Sequence, residues 1–333
     1  MSQYFSRLIC LLGMPLLFAC TGEAPPDRGG VSRTNPSGNN PNAPCFNNNC
    51  GAVEQVFTMP DAENLVFSPN GRLFVSGGQS VVEVTKSANG FAPLTVSDGS
   101  CNFTGLTVAR NTLYANCGDG SLWAGSLATI PTKIKRIFAY DGTSLINGLT
   151  SSADGLTLYA VDGPLPSNGP PTPKIVKLAL SPSDPLKVNT QTTWLDLAGR
   201  FPNGIQRLGN VLYFTDSEIP NLGRLNSVQI RPDGSASVPS VLATLENLAD
   251  DFTILADGFA ISYFFTGQVV KYNFLGQKVD GFNPGTFSTG TSHVRQGQGP
   301  LFSSRDLLVT EKGILGEQAS PVGNRLSVVR RTQ

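Results

Sequence analysis

Five stretches of this chain repeat one form, and an internal repeat constrains a fold more than any local propensity does. They read ENLVFSPNGRLFVSG from Glu63, TGLTVARNTLYANCG from Thr104, NGLTSSADGLTLYAVDG from Asn147, NGIQRLGNVLYFTDS from Asn203 and DDFTILADGFAISYF from Asp250. In each, an Asn or Asp lies seven positions after the first residue: Asn70, Asn111, Asp154, Asn210 and Asp257. Such residues close tight turns between antiparallel strands. A looser sixth copy runs from Ser292-His293 to Asp306-Leu307-Leu308-Val309-Thr310.

The copies start 41, 43, 56, 47 and about 42 residues apart. That is the length of a four-stranded propeller blade. The expected fold is therefore all-β: a six-bladed β-propeller of four-stranded antiparallel blades. A β-sandwich also has many short strands, but it gives no fixed offset repeated five times. The long third interval holds a Pro-rich loop, Pro164 to Pro173. Val81-Val82-Glu83-Val84, Gln268 to Tyr272 and Ser327 to Arg330 alternate or cluster apolar residues, as middle and outer strands do. An open array would leave a bare strand edge, so the ends should pair, with Val53–Phe57 as the candidate partner.

Ahead of the repeat lies a processing signal. Arg7 precedes an apolar run too short to span a bilayer, and the run ends Leu17-Phe18-Ala19-Cys20. This resembles the lipobox of bacterial lipoproteins, with Cys20 as the lipidated residue. The expected division is a signal peptide over 1–19, a lipid-anchored flexible tether over 20–50 and the propeller over 51–333. The tether reading follows from composition, because Pro, Gly, Asn and Ser cannot bury enough surface to offset their ordering entropy. The implied location is the cell envelope, on the outer membrane if the cell is Gram-negative, since Thr21 and not Asp follows the cysteine. Four cysteines then remain in an oxidising compartment, and the expected pairs are Cys45–Cys50 and Cys101–Cys117. No Cys-x2-Cys spacing supports a zinc site among them. Charged residues are 14% with zero formal net charge and no basic run, so nucleic acid is not an expected partner. The membrane, through the lipid, and a small molecule are the expected ones, with the chain as a monomer.

Equivalent positions of a propeller lie around one ring near the central channel. The aligned starts Glu63, Thr104, Asn147, Asn203 and Asp250 all carry side-chain oxygens, and none carries a positive charge. Two carboxylates with neutral amide oxygens suit a hard divalent cation. Without one, Glu63 and Asp250 repel each other in a narrow channel.

This pattern resembles the senescence marker protein/gluconolactonase (regucalcin-like) superfamily, whose relatives include diisopropyl fluorophosphatase and the paraoxonases. The resemblance implies a six-bladed propeller with a divalent metal, usually Ca2+, at the channel. It implies metal ligands at Glu63, Asn147, Asn203 and Asp250, with Asp250 also acting as base or nucleophile toward a lactone or related ester. Three departures stand out. Leu145 occupies the place of the Arg that holds a sugar acid, Asn64-Leu65 follow Glu63 in place of Gly-Pro, and Asp251 follows Asp250. His293, near the sixth start, is a candidate general base or second-site ligand. Asp162 and Asp216 read as strand-end caps or solvated strand ends, and Trp123 and Trp194 as blade packing rather than sugar platforms. No Gly-x-Ser-x-Gly elbow, phosphate loop or dinucleotide fingerprint is present. Two functions follow as expectations: a calcium-dependent lactone or ester hydrolase, or a non-catalytic propeller that binds a ligand or protein at the envelope.

Overall fold

A computed structural model describes residues 43–88, 90–163, 173–218, 222–314 and 320–331. The signal peptide, Cys20 and most of the tether lie outside these residues, as does nearly all of the Pro-rich loop. The described strands form six four-stranded antiparallel sheets, the six blades expected. Blade 1 runs from its inner strand Ala62–Phe67 out to Gly90–Thr95, and blade 2 from Phe103–Ala109 to Lys135–Ala139. Blade 3 runs from Ile146–Ser151 to Val188–Asp196, blade 4 from Phe201–Leu208 to Ser240–Leu245, and blade 5 from Ala249–Leu255 to Lys278–Gly281. Blade 6 takes Thr291–Gln296, Leu307–Glu311 and Arg325–Val329 from one end of the chain. Its outer strand, Val53–Thr58, comes from the other end and pairs antiparallel with Arg325–Val329. The ring closes at the predicted segment.

Turn chemistry is clearest in the first hairpin of blade 2. In blade 2, Arg110 and Asn111 both take positive φ, 48° and 58°. That is the backbone of a two-residue turn whose twist matches the flanking strands. The apolar residues then fill the seams between blades rather than one central core. One cluster of buried side chains lies at each of the six seams. Trp123 packs edge-on against Phe103 in the seam of blades 1 and 2, and Trp194 against Tyr159 beside blades 3 and 4. Both indoles are packing residues, as the sequence suggested.

Both expected disulfides are present, Cys45–Cys50 and Cys101–Cys117. The second ties the approach to the blade 2 inner strand onto the end of its neighbour, Thr112–Cys117. The first has a consequence that composition hid. Residues 43–50 are folded, and Phe46 and Cys50 are buried with Leu255, Phe282 and Phe287 at the seam of blades 5 and 6. The end of the polar segment is therefore part of the domain's packing.

One irregularity recurs in every blade. Each inner strand carries a β-bulge two residues wide where it faces the next strand out. The bulged pairs are Glu63-Asn64, Thr104-Gly105, Asn147-Gly148, Asn203-Gly204, Asp250-Asp251 and Ser292-His293. A bulge puts two residues opposite one and re-aims both side chains. In five blades the residue opposite the bulge is a small polar one: Ser76, Asn116, Thr215, Ser262 and Thr310. Each donates a hydrogen bond to a main-chain carbonyl of the following blade. The acceptors are Thr104 at 2.5 Å, Asn147 at 2.8 Å, Asp250 at 2.6 Å, Ser292, and Glu63 at 2.7 Å. In blade 3 the equivalent position is Val161, which supplies apolar packing instead.

Candidate functional site at the bulge ring

The aligned starts thus occupy one ring, and the bulges account for it. All are buried: Glu63, Thr104, Asn147, Asn203, Asp250 and the sixth member, Ser292. Neighbouring members touch. Asn203 donates through Nδ2 to Asp250 Oδ1, and Ser292 Oγ donates to Asp250 Oδ2 at 2.8 Å. Thr104 Oγ1 is turned aside and donates to the Ile146 carbonyl at 2.9 Å. Glycine follows Thr104, Asn147 and Asn203 because the inner strands nearly meet there. A Cβ on Gly105 or Gly148 would collide with the carbonyl oxygen of Asn147 or Asn203, and one on Gly204 with the Asp251 carboxylate. The Asn-Gly dipeptides therefore serve close approach of backbones, in addition to placing an amide on the ring.

The second residues of the other three bulges form a smaller polar group. Asn64 Nδ2 donates to Asp251 Oδ2 at 2.6 Å, and the Phe252 amide donates to Asp251 Oδ1 at 2.7 Å. His293 Nδ1 stands 3.4 Å from Asp251 Oδ2. Neither ring nitrogen of His293 makes a hydrogen bond, although the side chain is buried. Burial, with the nearby Arg295 charge, holds its pKa well below the ordinary value. Burial thus disfavours a charged ring at this contact with Asp251. Burial pushes Asp251 itself up to about 7. The structure places His293 beside Asp251, and Ser292 is the residue on Asp250.

Sequence reasoning found no cation among the ring starts, and the structure supplies one from elsewhere. Lys312, just beyond the strand Leu307–Glu311, reaches back across the seam of blades 6 and 1. Its Nζ is 2.5 Å from Glu63 Oε2 and 3.1 Å from Asp61 Oδ1. Burial works against that charge, but Glu63 and Asp61 outweigh it and raise the ammonium's pKa. No motif could have flagged Lys312, because it lies outside the repeated segment. Asp250 is less well served. Burial and then the Glu63 charge push its carboxyl well above the usual carboxylate range.

The residues present fit a divalent cation by donor chemistry and by charge. Glu63, Asn147, Asn203 and Asp250 offer hard oxygens. The Asn203 amide that now points nitrogen at Asp250 presents its oxygen after a half-turn. The carboxylates of Asp61, Glu63, Asp250 and Asp251, when ionised, exceed Lys312 and Arg295 by two charges, which a dication would balance. The structure joins Asn203 directly to Asp250 and sets Glu63 within electrostatic reach of it, while Asn147 sits one blade further round. Cys101, Cys117 and Asp119 also lie close together, but both sulfurs are held in the disulfide. Of the two remaining acids, Asp162 caps backbone amides, whereas Asp216 is a buried ion-pair partner inside its strand. Asp162 Oδ1 accepts from the amides of Ser144 and Leu145 at 2.9 and 2.8 Å, and Asp216 lies between Arg200 at 3.0 Å and Arg224 at 2.8 Å.

Comparison with known proteins places the fold. The chain is similar to regucalcin from Agrobacterium tumefaciens, a calcium-binding protein, at 16% identity and a TM-score of 0.63, over 87% of this chain and 96% of that one. It is similar to a protein assigned to the gluconolactonases at 17% identity and 0.62, over 86% and 96%. A luciferin-regenerating enzyme matches at 15% and 0.62, over 84% and 95%. All three fit the superfamily whose pattern the ring residues resemble. At these identities the likeness is one of fold. No protein-family model and no curated protein matches the sequence.

Proposed function

We propose that this chain is a divalent-cation-dependent hydrolase of lactones or related esters, with Ca2+ as the cation, exported and held at the cell envelope by lipid on Cys20. The observation that carries the reading is Asp250. It is a buried carboxylate at the ring, gripped by Ser292 and Asn203, with a second carboxylate and a second amide at the matching bulges of blades 1 and 3. A cation held by Glu63, Asn147, Asn203 and Asp250 would polarise the ester carbonyl. The chain's own part is to move the proton. Ser292 fixes one Asp250 oxygen, and the other, held by the Asn203 amide, would take a proton from the attacking water once that amide turns its oxygen to the cation. Burial of the ring excludes bulk water and strengthens each of these contacts. Leu145 leaves the sugar-acid contact without its cation, so uncharged lactones and aryl esters are the substrates to try first.

The test is turnover of a lactone and aryl-ester panel by the purified protein with Ca2+ and with chelator. Turnover that stops with chelator, together with a lower melting temperature, is the expected result. An inactive calcium-loaded protein would remove the enzyme reading and favour the binding propeller, to which Leu145 already points. The two disulfides suit an oxidising compartment and so support export. Labelling with radioactive palmitate should mark the wild type and fail with Cys20→Ser. Equal labelling of both would place the lipid elsewhere.

A further inference from the structure

We propose that the Lys312 ammonium is a built-in competitor for the cation of the ring: it sits on Glu63, gives the site a weak affinity for a divalent ion, and has Asp61 as a second seat. The proposal rests on the metal reading above and concerns what regulates that site. Its first support is position. The Lys312 backbone is fixed by its own amide, which donates to the Gly290 carbonyl at 2.7 Å, and the ammonium is held by Glu63 and Asp61. The ammonium lies 2.5 Å from Glu63 and is buried. Its second support is charge. Glu63 is one of only two carboxylates in the expected ligand set, and the ammonium neutralises it. Calcium affinity follows the charge count of the ligands and the rigidity of the site. A dication on the same carboxylate would also face the ammonium at close range in a buried site.

Asp61 completes the device. Its carboxylate is 3.1 Å from Nζ, so the ammonium can keep that partner when Glu63 turns to a metal. Asp61 is fixed by its backbone, with φ at 54° and its amide bonded to Asn324 Oδ1 at 2.8 Å. An Asn there keeps the left-handed backbone and removes the charge.

The experiment is a calorimetric titration of CaCl2 into the purified full-length protein and its variants. Lys312→Met should bind calcium about tenfold or more tightly than wild type, since it restores a ligand charge. Asp61→Asn should bind about tenfold more weakly, because the ammonium is left only Glu63 to sit on. Lys312→Arg keeps the charge and should stay close to wild type. Lys312→Met should also melt lower than wild type without calcium and gain more on adding it. If Lys312→Met fails to fold, the sign of the Asp61→Asn change decides. Equal calcium affinities in wild type and the foldable variants would overturn the competitor role and leave the metal site standing. No binding by any of them, wild type included, would remove the metal reading and this proposal with it.

Discussion

Asp250→Asn is expected to lower ester or lactone turnover by about 10³-fold, within the range that a positioned general base contributes. The variant should still fold. Asn keeps an oxygen to accept the Ser292 hydroxyl and is the same size as Asp. The melting temperature without calcium should hold or rise, because burial and Glu63 already disfavour the Asp250 charge. Stability and activity would then move in opposite directions, which is the mark of a residue kept for chemistry. Steady-state rates beside thermal unfolding read both. Undiminished turnover in the variant would exclude Asp250 as the base.

The largest loss of stability is expected from Arg325→Ala. Glu311 is fully buried in blade 6, beside the seam that joins the two ends of the chain. Arg325 holds both its oxygens at 2.8 Å, the Ser288 amide donates to it at 2.6 Å, and the Ser327 hydroxyl donates as well. Removing the guanidinium leaves a carboxylate buried without its counter-charge, which costs about 3–5 kcal/mol. For a domain of this size that is a fall in melting temperature of about 10 °C. The pH dependence gives the sign. Burial raises the Glu311 carboxyl, but Arg325, Ser327 and Ser288 outweigh it, and its folded pKa lies below the ordinary 4.5. The stabilisation is therefore full above pH 4.5 and is lost as the pH falls through the lower folded value. In Arg325→Ala that acid-linked loss should shrink. The double variant Glu311→Gln, Arg325→Met should recover part of the stability, because it leaves no charge buried. An unchanged melting temperature in Arg325→Ala would show that Ser288 and Ser327 suffice.

The blades were legible because the repeat carries its own phase. Asn111 and Asp257 fall where a hairpin must turn, and seven residues earlier the chain is at the channel. The second residue of each pair was not legible as a channel residue. In a regular strand it would point to the opposite face, and only the bulge brings Asn64, Asp251 and His293 inward. A signal was present, though. Ser76, Asn116, Thr215, Ser262 and Thr310 are single polar residues inside apolar strands, and a polar residue buried there needs a partner. Lys312 gave no signal, since a lone lysine after a strand is usually solvated. The segment around Phe46 was hidden by its polar neighbours. One aromatic ring and a short disulfide loop were enough to fold it onto blade 5.

One set of bonds between neighbouring blades runs from Ser76, Asn116, Thr215, Ser262 and Thr310 to main-chain carbonyls. The ring side chains are not among the acceptors. Every residue type leaves such a carbonyl in the same place. Heredity can therefore treat architecture and chemistry as separate traits. Mutation at Glu63, Asn147, Asn203 or Asp250 explores new reactivity while the sheets persist, and drift in the sheets need not erase the reactivity. The similar structures share the shape at 15–17% identity.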